Sequence, residues 1–92
     1  MGLAVLTKII QMLVTGPTSL SLAFSDGSHA TWSADGLIAR DTIMTRPLAD
    51  PAYFARAFIE GGALAWPNGF ELSAASLHRR LAESGALIRS AA

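Results

Sequence analysis

Hydrophobic and polar positions alternate most cleanly over Ser19–Phe24, where Leu20, Leu22 and Phe24 face one way and Ser19, Ser21 and Ala23 the other. A period of two predicts a strand in a sheet with one covered face and one more polar face. Ahead of it, residues 8–14 are rich in Ile, Leu, Met and Val and stop at Gly16-Pro17, which predicts a buried strand. Ser25-Asp26-Gly27 predicts a hairpin turn with Gly27 in the left-handed region, because Asp and Gly tolerate positive φ. His29–Ser33 returns as the partner strand, and Ser33 is placed as the N-cap of a short helical turn through Leu37 and Ile38.

Residues 41–48 show no period and are read as a connection. Asp50-Pro51 then marks a helix start, with Asp50 capping and Pro51 supplying a preset φ at the first helical position. Phe54 and Phe58, spaced i and i+4, make the apolar stripe of that helix, which Gly61-Gly62 ends. Residues 63–66 and 70–72 flank Pro67-Asn68-Gly69 as a second hairpin, with Gly69 at the left-handed exit of the turn. Ser73 caps the last helix, Leu72 and Leu77 are spaced as a hydrophobic staple, Leu81 continues the buried face and Gly85 stops it. The result is an α+β fold: a small, mostly antiparallel sheet of about four or five strands, with two main helices packed on one face. It is made of two hairpins plus an N-terminal strand. Residues 1–92 read as one domain, with 86–92 as a C-terminal tail. The two hairpins echo each other, Leu22-Ala23-Phe24-Ser25-Asp26-Gly27 against Leu64-Ala65-Trp66-Pro67-Asn68-Gly69. Common turn chemistry produces such an echo, and so does internal duplication.

Three blocks carry a family likeness: Phe24-Ser25-Asp26-Gly27, Leu48-x-Asp50-Pro51-x-x-Phe54, and Trp66-Pro67-Asn68-Gly69 followed by Leu77. In order and spacing the chain resembles domain-of-unknown-function family 2442, and the Trp-Pro-Asn-Gly turn is the most specific piece. The resemblance implies a small α+β protein, mostly bacterial and often encoded beside a second small protein in a suspected toxin–antitoxin pair. The family has no established enzymatic activity for the resemblance to carry over. The chain departs from the pattern at residues 33–39, which lack the Asp-Leu-Ser-Pro run, and in extending through Arg79-Arg80 to Leu87-Ile88. It also carries no helix-turn-helix domain of the kind that follows some relatives, which argues against direct DNA regulation.

Composition sharpens this picture. Only 15% of the 92 residues are charged, against a usual quarter, while 51% are hydrophobic. A small charge-poor domain gains burial by self-association, so a homodimer is expected. Leu87 and Ile88 lie beyond the helix stop and are candidate oligomer contacts, unless the tail folds back on its own sheet. A net charge of zero gives no general steering toward nucleic acid or an anionic membrane. The absence of cysteine excludes disulfides and thiolate chemistry and suits a reducing cytoplasm. The apolar stretch 1–14 has no basic start, is interrupted by Lys8 and Gln11, and is too short to span a bilayer, so neither a leader nor a membrane span is expected.

Candidate chemistry is thin. Asp26, Ser28 and His29 have the residue types of a nucleophilic triad, but they sit on one tight turn, where Asp26 serves the local backbone. His29 and His78 show no metal-ligand spacing, so no metal and no cofactor is expected. Trp66 with Phe24 and Trp32 reads as core packing, or alternatively as a stacking platform near a small-molecule pocket. Just before a turn, the indole N–H of Trp66 is placed to reach a backbone carbonyl. Arg79, Arg80 and Arg89 form the one basic cluster, either a solvated helix end or a set of phosphate contacts. The reading favoured by these residues is a non-catalytic protein-interaction module whose partner is a second copy or a small protein from a neighbouring gene. The alternatives are a nucleic-acid-binding regulator, and a small-molecule binder or enzyme with a pocket near Trp66.

Overall fold

The structure, a computed structural model, describes residues 7–89. Its strands form two antiparallel sheets of three: β1 (Ile9–Gly16), β2 (Ser19–Phe24) and β3 (His29–Ser33), then β4 (Phe58–Glu60), β5 (Ala63–Ala65) and β6 (Glu71–Leu72). Each sheet is a meander, so every strand pairs with its sequence neighbour. The α+β class stands, but the expected single sheet is two. Three helices accompany them: α1 (Asp35–Ala39), α2 (Pro51–Phe54) and α3 (Ala74–Glu83), with a 3-10 turn at Arg46–Ala49 inside the stretch read as a plain connection. Among the described residues no helix is long and apolar enough to cross a membrane.

Alternation does what it predicted in β2, the central strand, where Leu20, Leu22 and Phe24 are fully buried. Opposite them Ala30 and Trp32 of β3 point the same way. Leu64, Trp66 and Leu77 come from the second half, and one contiguous core joins both sheets. Around Trp66 the rings of Trp32, Phe54 and Phe70 lie 5.8–6.3 Å away, centroid to centroid.

The two turns share more than composition. Phe24 N–H donates to the Ser28 carbonyl and Gly27 N–H to that of Phe24, just as Trp66 N–H donates to Phe70 and Gly69 N–H to Trp66. In each turn the Asx side chain accepts the N–H two residues on, Ser28 to Asp26 and Phe70 to Asn68. Gly27 and Gly69 both have φ of 90°, as the turn chemistry predicted.

Two expectations need correction. The helix starting at Asp50-Pro51 is capped as read, with Ala52 N–H donating to the Asp50 carboxylate, but it stops at Phe54. Phe58 opens β4 instead and is 39% exposed. The cause is the Gly61-Gly62 pair, with φ of 59° and 85°. Two consecutive positive φ values build a two-residue hairpin turn, and pairing with β5 outweighs an i, i+4 aromatic stripe. In the first half, α1 is capped at Ala34, one residue later than expected, and Ser33 holds the Asp35 N–H from outside the helix.

The last helix follows the sequence closely. Ser73 accepts the Ser76 N–H, and Leu77 and Leu81 are buried. At its end Gly85 takes φ of 77°, while the Gly85 and Ala86 N–H groups return to the Ala82 and Leu81 carbonyls. That double return is a Schellman closure, and it turns the chain back toward β3.

Candidate functional site

The chemistry-bearing residues meet at the first turn. Asp26 is held there by its own turn: one carboxylate oxygen, Oδ1, accepts both the backbone N–H and the hydroxyl of Ser28. The other, Oδ2, lies 2.8 Å from Nε2 of His78, brought across by α3, and 3.9 Å from a guanidinium nitrogen of Arg89. The His78 ring stands edge-on to Phe24 at 5.1 Å. The Ser28 hydroxyl, and after it the Ser28 N–H, holds the Asp26 carboxyl down at about 2 from its ordinary 3.8, with His78 adding to the effect against the opposing cost of burial.

The residue types of a nucleophilic triad are present, in the wrong order. Proton relay requires the imidazole between hydroxyl and carboxylate. Here the carboxylate sits between the other two, and a group held near pKa 2 is a weak base. Ser28 is also buried, at 2% exposure. His29, which the sequence set beside Asp26, is a β3 residue whose backbone pairs with Ile88. The cluster therefore works as a latch tying the first hairpin to α3. Sequence reasoning assigned Asp26 correctly to its turn and missed His78, whose partner lies 52 residues away.

The other candidate residues disperse. Trp66 is 1% exposed and its indole N–H donates to the Phe54 carbonyl at 3.1 Å, so neither ring face is open to a ligand. Pro67 and Asn68 shape the second turn, where Asn68 takes the Tyr53 hydroxyl on its N–H and donates its amide to the Met44 carbonyl. Arg79 and Arg80 are exposed on α3. The tail folds back: Leu87 packs against the core, and Ile88 exchanges both backbone hydrogen bonds with His29 while its side chain stays 56% exposed. Leu87 is thus engaged within its own subunit, and Ile88 through its backbone alone. Among the described residues no three His, Cys, Asp or Glu side chains cluster as metal ligands.

What the sequence did not single out is the flank of the first sheet. β1 was expected to be buried, yet Ile10 is 59% exposed and Leu13 66%. With Ile59 of β4 they line an open groove of about 830 Å³, whose polar wall comes from Gln11, Ser21 and His29. Among the described residues β1 pairs only with β2, so the groove lies on an edge strand. A scan against family models, a search of curated proteins and a search of solved structures each find no match to this chain.

Proposed function

We propose that the chain is a non-catalytic protein-interaction module, working with a second copy or with a small protein encoded beside it. The observation that carries this reading is the exposed apolar flank of Ile10, Leu13 and Ile59 on an open sheet edge. Isolated exposed apolar residues are ordinary, but a grouped set lining one groove is a feature of interaction surfaces. The wiring of Asp26 supports the non-catalytic half, because it leaves the hydroxyl without a base.

The test is light scattering of the purified chain, alone and co-expressed with the neighbouring gene's product, at low and high salt. An assembly that persists at high salt is the expected result, since apolar burial is not screened. Binding to duplex DNA that falls steeply with salt, and is lost on changing Arg79 and Arg80 to Ala, supports the regulator instead. A monomer that binds neither protein nor nucleic acid overturns the reading.

A further inference from the structure

We infer that β1 pairs with β1 of a second copy, antiparallel about a two-fold axis at Leu13, joining two three-stranded sheets into one of six. The inference rests on the interaction-module reading and names its partner. Three observations carry it, and the second of them favours a second copy over a different protein.

The first is the edge itself. β1 is eight residues long, and among the described residues its outer backbone groups are taken only at its start, where Ile9 N–H donates to the Gly62 carbonyl. Edge strands in stable monomers are blunted by charge, proline or a covering segment. β1 contains no charged residue and no proline, and its two irregularities, at Ile9/Gln11 and Val14/Gly16, leave Gln11 to Val14 in regular register.

The second is charge. Residues 9–25 carry no ionisable side chain, and the whole chain has net charge zero. A partner with a charged edge gains no ion pair here, whereas an identical edge meets no like charge.

The third is register. Residues opposite each other in an antiparallel pair share a face, so the axis passes through a residue position. Gln11 and Leu13 lie on the outer face, opposite Ala23 and Ser21, while Met12 and Val14 lie on the core face, opposite Leu22 and Leu20. An axis at Met12 sets polar Gln11 against Leu13. An axis at Leu13 sets Leu13 against itself, Met12 against Val14 and Gln11 against Thr15, like with like throughout. It also covers Leu13, the most exposed large hydrophobic side chain of the strand.

Ile10, Leu13 and Ile59 together expose on the order of 300 Å² per copy, comparable to the largest apolar patch of an ordinary monomer. A standard interface covers roughly 800 Å² per partner, so the flanking polar residues must contribute the rest and a micromolar dissociation constant is expected.

Because the chain has no cysteine, one introduced cysteine reports on the pairing without ambiguity. The experiment uses the full chain and combines sedimentation of the wild type and Leu13→Lys with mild oxidation of Leu13→Cys and Thr31→Cys. Directly opposed Cβ atoms lie roughly 4.5–5.5 Å apart, close enough to bridge with small adjustment. The expected result is a wild-type dimer, at least about tenfold weaker in Leu13→Lys. Leu13→Cys should form disulfide-linked dimers, and Thr31→Cys on β3 should not. A dimer that survives Leu13→Lys without a link at position 13 overturns β1 pairing and leaves the interaction-module reading in place. So does a wild-type monomer that binds the neighbouring gene's product and loses it in Leu13→Lys. A monomer with no protein partner overturns both.

Discussion

Asp26→Asn keeps the size of the side chain and removes its charge. The carboxylate accepts two bonds from Ser28 and one from His78. A carboxamide has a single acceptor oxygen, so at least one of these donors ends against an NH2 group. Ser28 is buried, and water does not replace what it loses. A hydrogen bond to a charged group contributes about 1.5–3 kcal/mol, and the one-third exposure of the Asp26 side chain moves the expected loss down to about 1–2 kcal/mol. The lowered carboxyl pKa, about 2 against 3.8, makes this loss depend on pH. A depressed folded-state pKa adds stability above the unfolded value, and that stability is lost as pH falls through the folded value. The gap between wild type and Asp26→Asn should therefore be full above about pH 5 and close between about pH 4 and 2. Urea unfolding at stepped pH, followed through the fluorescence of buried Trp32 and Trp66, measures it. A gap that stays constant down to about pH 2, or no gap at neutral pH, refutes the latch.

Gly69→Val should cost about 1–2 kcal/mol from backbone strain alone, because φ is 90° and nothing lies within 4 Å of the added Cβ. Gly62→Ala should cost more than Gly69→Ala, since its Cβ meets Lys8 at 2.8 Å as well; equal melting temperatures would contradict the close approach. Ser73→Ala should lose about 1 kcal/mol with the Ser76 N–H uncapped, and unchanged thermal unfolding would move the start of α3 elsewhere. Trp66→Phe should lose about 1 kcal/mol for the Phe54 hydrogen bond plus a cavity contribution, read as a lower urea midpoint at unchanged slope.

The legible parts of this chain are those settled within a few residues. Asp26-Gly27, Asp50-Pro51, Asn68-Gly69, Ser73 and Gly85 act on backbone groups beside them, so their roles read directly from residue type and spacing. Phe58 was misread because two local signals compete: the aromatic spacing says helix and Gly61-Gly62 says hairpin. The decision falls to pairing with Ala65 across the turn. The His78 contact has no local signature at all. The exposure of β1 was hidden for a different reason. Its apolar run states that the strand is to be covered, while topology decides by what, and among the described residues the three-stranded meander leaves most of the outer edge of its first strand unpaired.

The two matching turns have a consequence for which residues can be exchanged. Each spends one oxygen of an Asx side chain on itself and sends the remaining polar atom to a distant element. Asp26 presents an acceptor to the His78 ring, and Asn68 presents a donor to the Met44 carbonyl 24 residues away. The backbone tolerates either residue at either place, so hairpin formation is indifferent to the choice. Docking is not: a carboxylate at position 68 would face a carbonyl, oxygen against oxygen. Asp26→Asn should accordingly preserve the turn and weaken the tie to α3. Folding grammar and tertiary address are written in the same side chain, on separate atoms.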